Sequence, residues 1–325
     1  MQTRRSALAF TGALGALTLA GQSFGQGKYP DQPVKMIVAL PAGGGVDVIA
    51  RNLAVRMGAE LGQPFLVDNR AGGSGQIGMP FVAKAAPDGY TLTVSPASFL
   101  TTNKSIFKNL AYDPEADFAP ITRLVNQAMI LVVKDRQKYP TFAAFLAAAK
   151  ANPGKLTYAS SGDGSPQHLA GLMFETRTQT KLLHVPYRGG ALAINDTSAG
   201  TVDAIFAVMP EAVQHVKAGT LYPLAVMTAN RSSIFPQVPT MVESGVNDLI
   251  LPTWIAMLAP AKTPKPIIDQ LNRAVLAAFD ADNRSKLAEI GMDVAPAGPE
   301  DLRALIARDL KLHAELVKAA GLVPQ

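Results

Sequence analysis

A buried strand, a glycine-rich turn and a helix start occur in that order twice in this chain, and few folds accommodate both. Lys35 to Arg51 reads KMIVALPAGGGVDVIAR, and Lys155 to Gly171 reads KLTYASSGDGSPQHLAG. The copies lie 120 positions apart, far outside the roughly 20–50-residue period of solenoid repeats. Each turn aims the unbonded N–H groups of a helix start, and the positive end of its dipole, at whatever lies beyond the strand. Such ends seat anions. Two of them predict two lobes closing on one small anion.

The remaining pattern is a strand–helix alternation. Expected strands are Val34–Leu40, Phe65–Val67, Tyr90–Val94, Ala128–Val133, Leu156–Ala159, Leu182–Val185, Val202–Val208, Leu224–Met227 and Trp254–Leu258. Expected helices are Val48–Leu61, Ile77–Ala85, Thr141–Asn152, Gln167–Thr178, Ala191–Ala199, Val213–Ala218, Lys265–Asp280 and Pro299–Ala319. Connections of this length imply parallel βαβ units with helices on both sheet faces. The chain is expected to cross between lobes near Ile121–Asp135 and Gly245–Ala259. This divides it into residues 26–127 with 248–325 in one lobe and 128–247 in the other, the C-terminal helices packing back on the first.

The N-terminus places the molecule. Arg4-Arg5 precede an apolar run from Ala7 to Ala20, followed by small residues to Gly25. This is the plan of a secretory signal peptide over residues 1–25, too short to span a bilayer, which needs about 18 apolar residues. Thr3-Arg4-Arg5-Ser6 also resembles a twin-arginine signal. The chain holds no cysteine, which excludes disulfides, thiolate chemistry and a lipid-modified cysteine. An exported, disulfide-free chain fits a bacterial periplasm. Its 48% apolar and 17% charged residues are enough for a globular core. The formal charge of +5 falls to +3 once Arg4 and Arg5 leave, and no basic stripe or aromatic platform points to nucleic acid.

Enzyme motifs fare poorly. Gly73-Ser-Gly75-Gln-Ile-Gly78 matches a dinucleotide pattern, but the acid expected after the next strand is missing, which leaves a turn-and-packing role. There is no phosphate-binding P-loop, and Gln76 spoils a nucleophile elbow. His168, His184, His215 and His313 show no metal-ligand spacing, so no metal and no cofactor is expected. His168 is placed in the first turn of the second anion-seat helix, to contact ligand or to pack. Asp47, near the first helix start, either caps the loop N–H groups or contacts ligand. Ser95 and Ser98 follow the third strand, and Ser160, Ser161 and Ser165 occupy the analogous place in the second half. They face the strand ends where α/β sheets bind ligands, or serve their turns. Tyr187-Arg188-Gly189-Gly190 forms a further strand-to-helix turn that permits close backbone approach.

These residues resemble a known family along essentially the whole mature chain. Leu40-Pro-Ala-Gly-Gly-Gly-Val-Asp47, Val67-Asp-Asn-Arg-Ala-Gly-Gly73, Pro87-Asp-Gly-Tyr-Thr-Leu92, Tyr112-Asp-Pro114, Gly162-Asp-Gly-Ser165 with His168, and Val185-Pro-Tyr-Arg-Gly189 are similar to the Bug-type solute-binding receptors of bacterial tripartite tricarboxylate transporters. The resemblance implies a two-lobe type II periplasmic-binding fold, each lobe a Rossmann-like sheet flanked by helices, with two crossing strands as hinge. It implies a monomeric receptor that passes a small organic carboxylate to membrane transporter subunits, without catalysis. It places Pro41, Ala42, Gly43 and Gly44 on one side of the ligand and Tyr187, Gly189, Gly190 and Ala191 on the other. The Ser160–Ser165 loop, including Gly164, and Ser95–Ser98 would hold the remainder, with Asp203 near the cleft floor. Two other readings are an exported hydrolase with a loop-serine nucleophile and the ligand-binding component of a sensor. For the hydrolase only His168 lies close to a loop serine in sequence, without an evident partner acid.

Overall fold

The computed structural model describes residues 29–251 and 253–319, with 322 and 324; the expected signal peptide lies outside these residues. The first lobe opens with β1 (Val34–Val38), α1 (Gly45–Leu61), β2 (Phe65–Asn69), α2 (Gly78–Ala83) and β3 (Thr91–Pro96). β1 pairs in parallel with β2 on one side and β3 on the other. Its residues alternate between two apolar layers: Val34, Met36 and Val38 pack with α1, while Ile37 packs with Met79 on the opposite face. A strand covered on both faces must be apolar at nearly every position, as this one is. α1 stops at Gly62, whose left-handed φ of 73° lets its N–H bond the Gly58 carbonyl. Gly78 is required where α2 meets β1, since a Cβ there would lie 2.6 Å from that of Ala39. That close approach is the packing role expected of the Gly73–Gly78 motif.

Two short helices, α3 (Ala97–Thr101) and α4 (Asn103–Ile106), lead to β4 (Phe118–Gln127), after which the chain crosses at Ala128 into the second lobe. There β5 (Met129–Val133), α5 (Phe142–Ala151), β6 (Thr157–Ser160), α6 (Pro166–Thr178), β7 (Leu183–Pro186), α7 (Gly190–Ala199), β8 (Ala204–Val208), α8 (Met209–Lys217) and β9 (Tyr222–Val226) build a sheet ordered β7-β6-β8-β5-β9. β5 again divides its side chains, with Met129, Leu131 and Val133 in one layer and Ile130 and Val132 in the other. The chain returns between Leu251 and Thr253. It then adds β10 (Thr253–Pro260), α9 (Lys265–Ala278), α10 (Ala281–Ala288), β11 (Met292–Ala297) and α11 (Pro299–Ala319), completing a sheet ordered β11-β4-β10-β3-β1-β2.

Both sheets are mixed: the expected parallel βαβ pairs are joined by antiparallel ones. β10 runs antiparallel to β3 and β4, and β5 antiparallel to β8 and β9. Apart from the β11–β4 pair at the sheet edge, the antiparallel pairs arise where the chain crosses between sheets. Such a strand enters from the other lobe instead of returning through a crossover helix, and so runs opposite to its neighbours. α11 also departs from expectation. Leu302 and Ile306 pack in the first lobe, whereas Val317 is buried in the core of the second.

Asp203 is misplaced by the sequence reading. It lies just before β8, at the sheet edge opposite the strand ends that carry the loops after β6, β7 and β8. There it accepts hydrogen bonds from the Thr157 N–H and hydroxyl, both at 2.9 Å, from the Tyr139 hydroxyl and from Lys138. Burial works to raise its proton affinity, but these donors hold the carboxyl below the ordinary range. Its role is to tie β6 to the segment after β5. Asp203→Ala should lower unfolding free energy in urea by about 2–3 kcal/mol, the cost of stranding buried donors, while ligand affinity stays within twofold. Lost affinity in a folded variant would return Asp203 to the cleft.

Candidate functional site

A cavity of about 380 Å³ lies between the lobes, over the carboxyl ends of β1, β3, β6, β7 and β8. Its walls come from Leu40–Ala42 and Gly44–Asp47, from Ser74, Pro96, Ser98, Phe99 and Asn103, from Ser161 and Asp163–Gln167, from Arg188–Leu192, and from Val208, Glu211, Gln127 and Thr253. The lobes touch beside it: the Ser74 hydroxyl donates to the Asp163 carbonyl at 3.4 Å, and Gly291 packs against Met209. Four helices of eight residues or more begin at this cavity: α1, α6, α7 and α8.

Their first turns differ. α6 is capped by its own Ser165, which accepts from the His168 N–H at 3.3 Å. No side chain caps α1, α7 or α8. The two copies of the repeated sequence are therefore not equivalent. The first leaves its helix start open, the second closes it, and the open start facing α1 from the other lobe belongs to α7. Gly189 makes that start with φ of 138°, and a Cβ there would stand 3.5 Å from Pro41 Cγ, an ordinary van der Waals contact. Gly44 sits at φ −79° with nothing within 4 Å of where a Cβ would stand.

Of the residues expected at the site, Pro41, Ala42, Gly44, Asp47, Ser98, Ser161, Gly164, Ser165, Gly189, Gly190 and Ala191 line the cavity. Gly43, Ser95, Ser160, His168, Tyr187 and Asp203 do not, each for a local reason. Gly43 lends its N–H to Asp47 Oδ2 at 3.0 Å and shapes the turn from behind. The Ser95 hydroxyl turns back to the Pro96 carbonyl. Tyr187 gives its N–H to the Ser160 carbonyl and its side chain to Asp196. Asp47 reaches the cavity already bonded, to Arg51 Nε at 2.8 Å and Asn69 Nδ2 at 2.9 Å besides Gly43. Burial pushes its proton affinity up, yet these donors hold the carboxyl below its usual range. It is the scaffold of the first loop.

His168 and His184 stack with ring centroids 3.9 Å apart and planes within 3°. His168 Nδ1 accepts the Gly164 N–H at 3.0 Å and so fixes the loop above it. Burial, with the neighbouring His184, lowers its pKa to about 3. Asp163, His168 and His184 bring donor atoms within 4.8 Å of one another. A metal held there would have to displace the Gly164 hydrogen bond. Ser160 Oγ lies 2.6 Å from His184 Nε2, and His184 Nδ1 lies 3.6 Å from Asp163 Oδ1. This serine–histidine–acid row was invisible in the sequence, because β6 and β7 pair Tyr158 with His184 only in the fold. Ser160 is nonetheless fully buried, and its Oγ accepts the Gly162 N–H at 3.1 Å.

Several polar residues of the cavity went unforeseen, Ser74, Asn103 and Thr253 as well as Gln127, Gln167 and Glu211. Gln127 ends β4 at the lobe crossing, 6% exposed, and its Nε2 has no hydrogen-bond partner. The Ser161 hydroxyl donates to Gln167 Oε1 at 2.8 Å, and Gln167 Nε2 donates to Glu211 Oε2 at 3.1 Å. Glutamines carry no motif. Glu211 follows Pro210 directly, a helix-start pattern that reads as an ordinary capping acid.

Tripartite tricarboxylate transporter family receptor is the description of the family model that matches residues 49–322. The chain belongs to this family. Protein BugT of Bordetella pertussis is 36% identical over 295 residues, covering 90% of each chain. Among solved structures, the periplasmic binding protein BugD superimposes with a TM-score of 0.86 at 34% identity, over 91% of this chain and all of the other. R. palustris Rpa4515 with adipate gives 0.88 at 32% identity, over 91% of this chain and all of the other. MatC from Rhodopseudomonas palustris with bound malate gives 0.83 at 28% identity, over 89% and 100%. As a member of the tricarboxylate transporter receptors, the chain has the family's two-lobe periplasmic-binding fold.

Proposed function

We propose that this protein is an exported periplasmic receptor that captures a small organic carboxylate between its lobes and delivers it to the membrane subunits of a tripartite transporter. The uncapped starts of α1 and α7 facing one another across the cavity carry this reading. Both offer N–H groups and a positive dipole end to one anion. Among the described residues Arg188 is the one lysine or arginine lining the cavity, so neutral donors do most of the holding. Adipate and malate in the related structures are carboxylates of a size that suits this volume. Residues 29–127 with 253–319 form one lobe and 129–251 the other, hinged where the chain passes from one sheet to the other, at Ala128 and ahead of β10. Closure is driven as far as the ligand prefers the closed form over the open one.

A thermal-shift screen of the mature chain against mono-, di- and tricarboxylates, aromatic acids and acidic amino acids tests this. A ligand at 100 times its dissociation constant should add about 2.7 kcal/mol. No shift across the panel, after unfolding and refolding to strip bound ligand, defeats the reading. The Ser160–His184–Asp163 row is the one observation favouring a hydrolase. A nucleophile needs access to substrate as well as a base, and buried Ser160 lacks it. A serine-reactive fluorophosphonate should leave the protein unlabelled.

A further inference from the structure

Glu211 is not explained by an anion seat. It lines the cavity within the first turn of α8, and its carboxylate lies against the start of α7, where an added Gly190 Cβ would overlap Oε1. A negative side chain here competes with the anion those helix starts should hold. Its one direct side-chain partner is Gln167, whose polarity is set by the Ser161 hydroxyl, so the relay delivers an N–H to Oε2. Oε1 is left facing the α7 start. On the first-lobe side, the buried and unpartnered Nε2 of Gln127 lines the same cavity. One wall thus presents an unsatisfied donor beside the α1 start, and another an acceptor prepared by its neighbours.

We propose that Glu211 is a specificity-determining residue that accepts a hydrogen bond from a hydroxyl or ammonium group of the ligand, whose carboxylate rests on the helix starts and Gln127. The receptor then favours carboxylates bearing such a donor over their unsubstituted parents. This rests on the carboxylate reading above. Burial, opposed by hydrogen bonds from Gln167 and the Val208 backbone, raises the Glu211 pKa to about 7, so the group can serve as acceptor or donor near neutrality. The N–H groups of Gln167 and Val208 that already donate to it favour the ionised, accepting form. The other ionisable groups at the cavity are Asp47, occupied by Arg51 and Asn69; Asp163, beside the stacked His168 and His184; and exposed Arg188.

The test is calorimetry at pH 7 in two buffers of different ionisation enthalpy. Succinate, malate and aspartate, and adipate, 2-hydroxyadipate and 2-aminoadipate, are titrated into the wild type, Glu211→Gln and Glu211→Leu. A site built to hydrogen-bond a substituent rejects the analogue lacking it. At least one substituted acid should therefore bind at least ~10-fold tighter than its parent, a preference that falls below ~3-fold in Glu211→Leu. An acceptor role favours the ionised form, so binding releases protons, and Glu211→Gln abolishes the release even if the leucine variant fails to fold. Parents binding as tightly as their derivatives, a preference that survives both substitutions, or proton uptake on binding overturns the assignment. Uptake would mean that Glu211 donates to a second carboxylate. If none of the six acids binds, the same comparison is made between the best acid of the thermal-shift panel and its hydroxy or amino derivative; only a panel without any binder defeats the carboxylate reading, and this one with it.

Discussion

Gly44→Val should reduce carboxylate affinity at least ~100-fold, equivalent to about 2.7 kcal/mol, while unfolding remains cooperative and stability stays within ~1 kcal/mol of the wild type, as for a substitution that creates no clash. The backbone at Gly44 is extended, with φ −79° and ψ 169°, and nothing stands within 4 Å of a Cβ. Valine therefore fits the fold, and its methyl groups enter the space in front of the uncapped α1 start. The measurement is calorimetric titration with the best acid from the screen, alongside urea unfolding. Unchanged affinity would show that the anion does not sit on α1. Gly189→Val is a poorer probe of the same idea. Its φ of 138° strains any L side chain, so lost binding there could follow from a distorted turn.

Acid should destabilise the protein well before its carboxylates titrate. His168 is held neutral, with a pKa of about 3 against roughly 6.5 in an unfolded chain. Between those values the unfolded chain binds a proton that the folded one refuses, so stability is present above pH 6.5 and drains away as pH falls. Each pH unit costs about 1.4 kcal/mol for such a group. His184 and His313 are lowered too, both chiefly by burial, and act in the same direction. Glu211 opposes them. Its raised pKa lets the folded state hold an extra proton between about 4.5 and 7, so it favours folding on the acid side of that window. One carboxyl does not outweigh three histidines. Urea midpoints should fall steadily from pH 7 to pH 4, and His168→Gln, which can still accept the Gly164 N–H, should flatten that slope by about 1 kcal/mol per unit. An unchanged slope would mean that His168 titrates freely in the folded state.

What the sequence disclosed followed from chemistry carried by neighbours along the chain. The apolar runs at β1 and β5, the proline and glycine stops, and the Gly43–Gly44 and Gly189–Gly190 turns are local, and the cavity forms where they are. Partnership across the fold stayed hidden. Nothing local separates Ser165, spent on capping α6, from Ser161, which polarises Gln167. Asp203 looked like a site acid because acids near strand ends often are, yet it lies at the wrong end of its strand. β11, with Asp293 and two alanines, lacks the apolar run of a central strand because it is a sheet edge packed on one neighbour. Gln127 becomes conspicuous only when its amide is found buried without a partner.

α11 joins the lobes a third time, behind the hinge. Trp254 Nε1 donates to Asp309 and His313 Nδ1 is bonded by Thr101 and Thr102, all fastening the helix to the first lobe, while four residues after His313 Val317 is sunk in the second. Whatever rotation the ligand asks of the lobes must be absorbed in that last turn. A purification handle or fluorescent fusion attached behind α11 is therefore not an inert label. It is tethered to a helix packed on both lobes, and binding constants measured with such a handle belong to the fusion until the same titration is repeated with the handle moved ahead of β1.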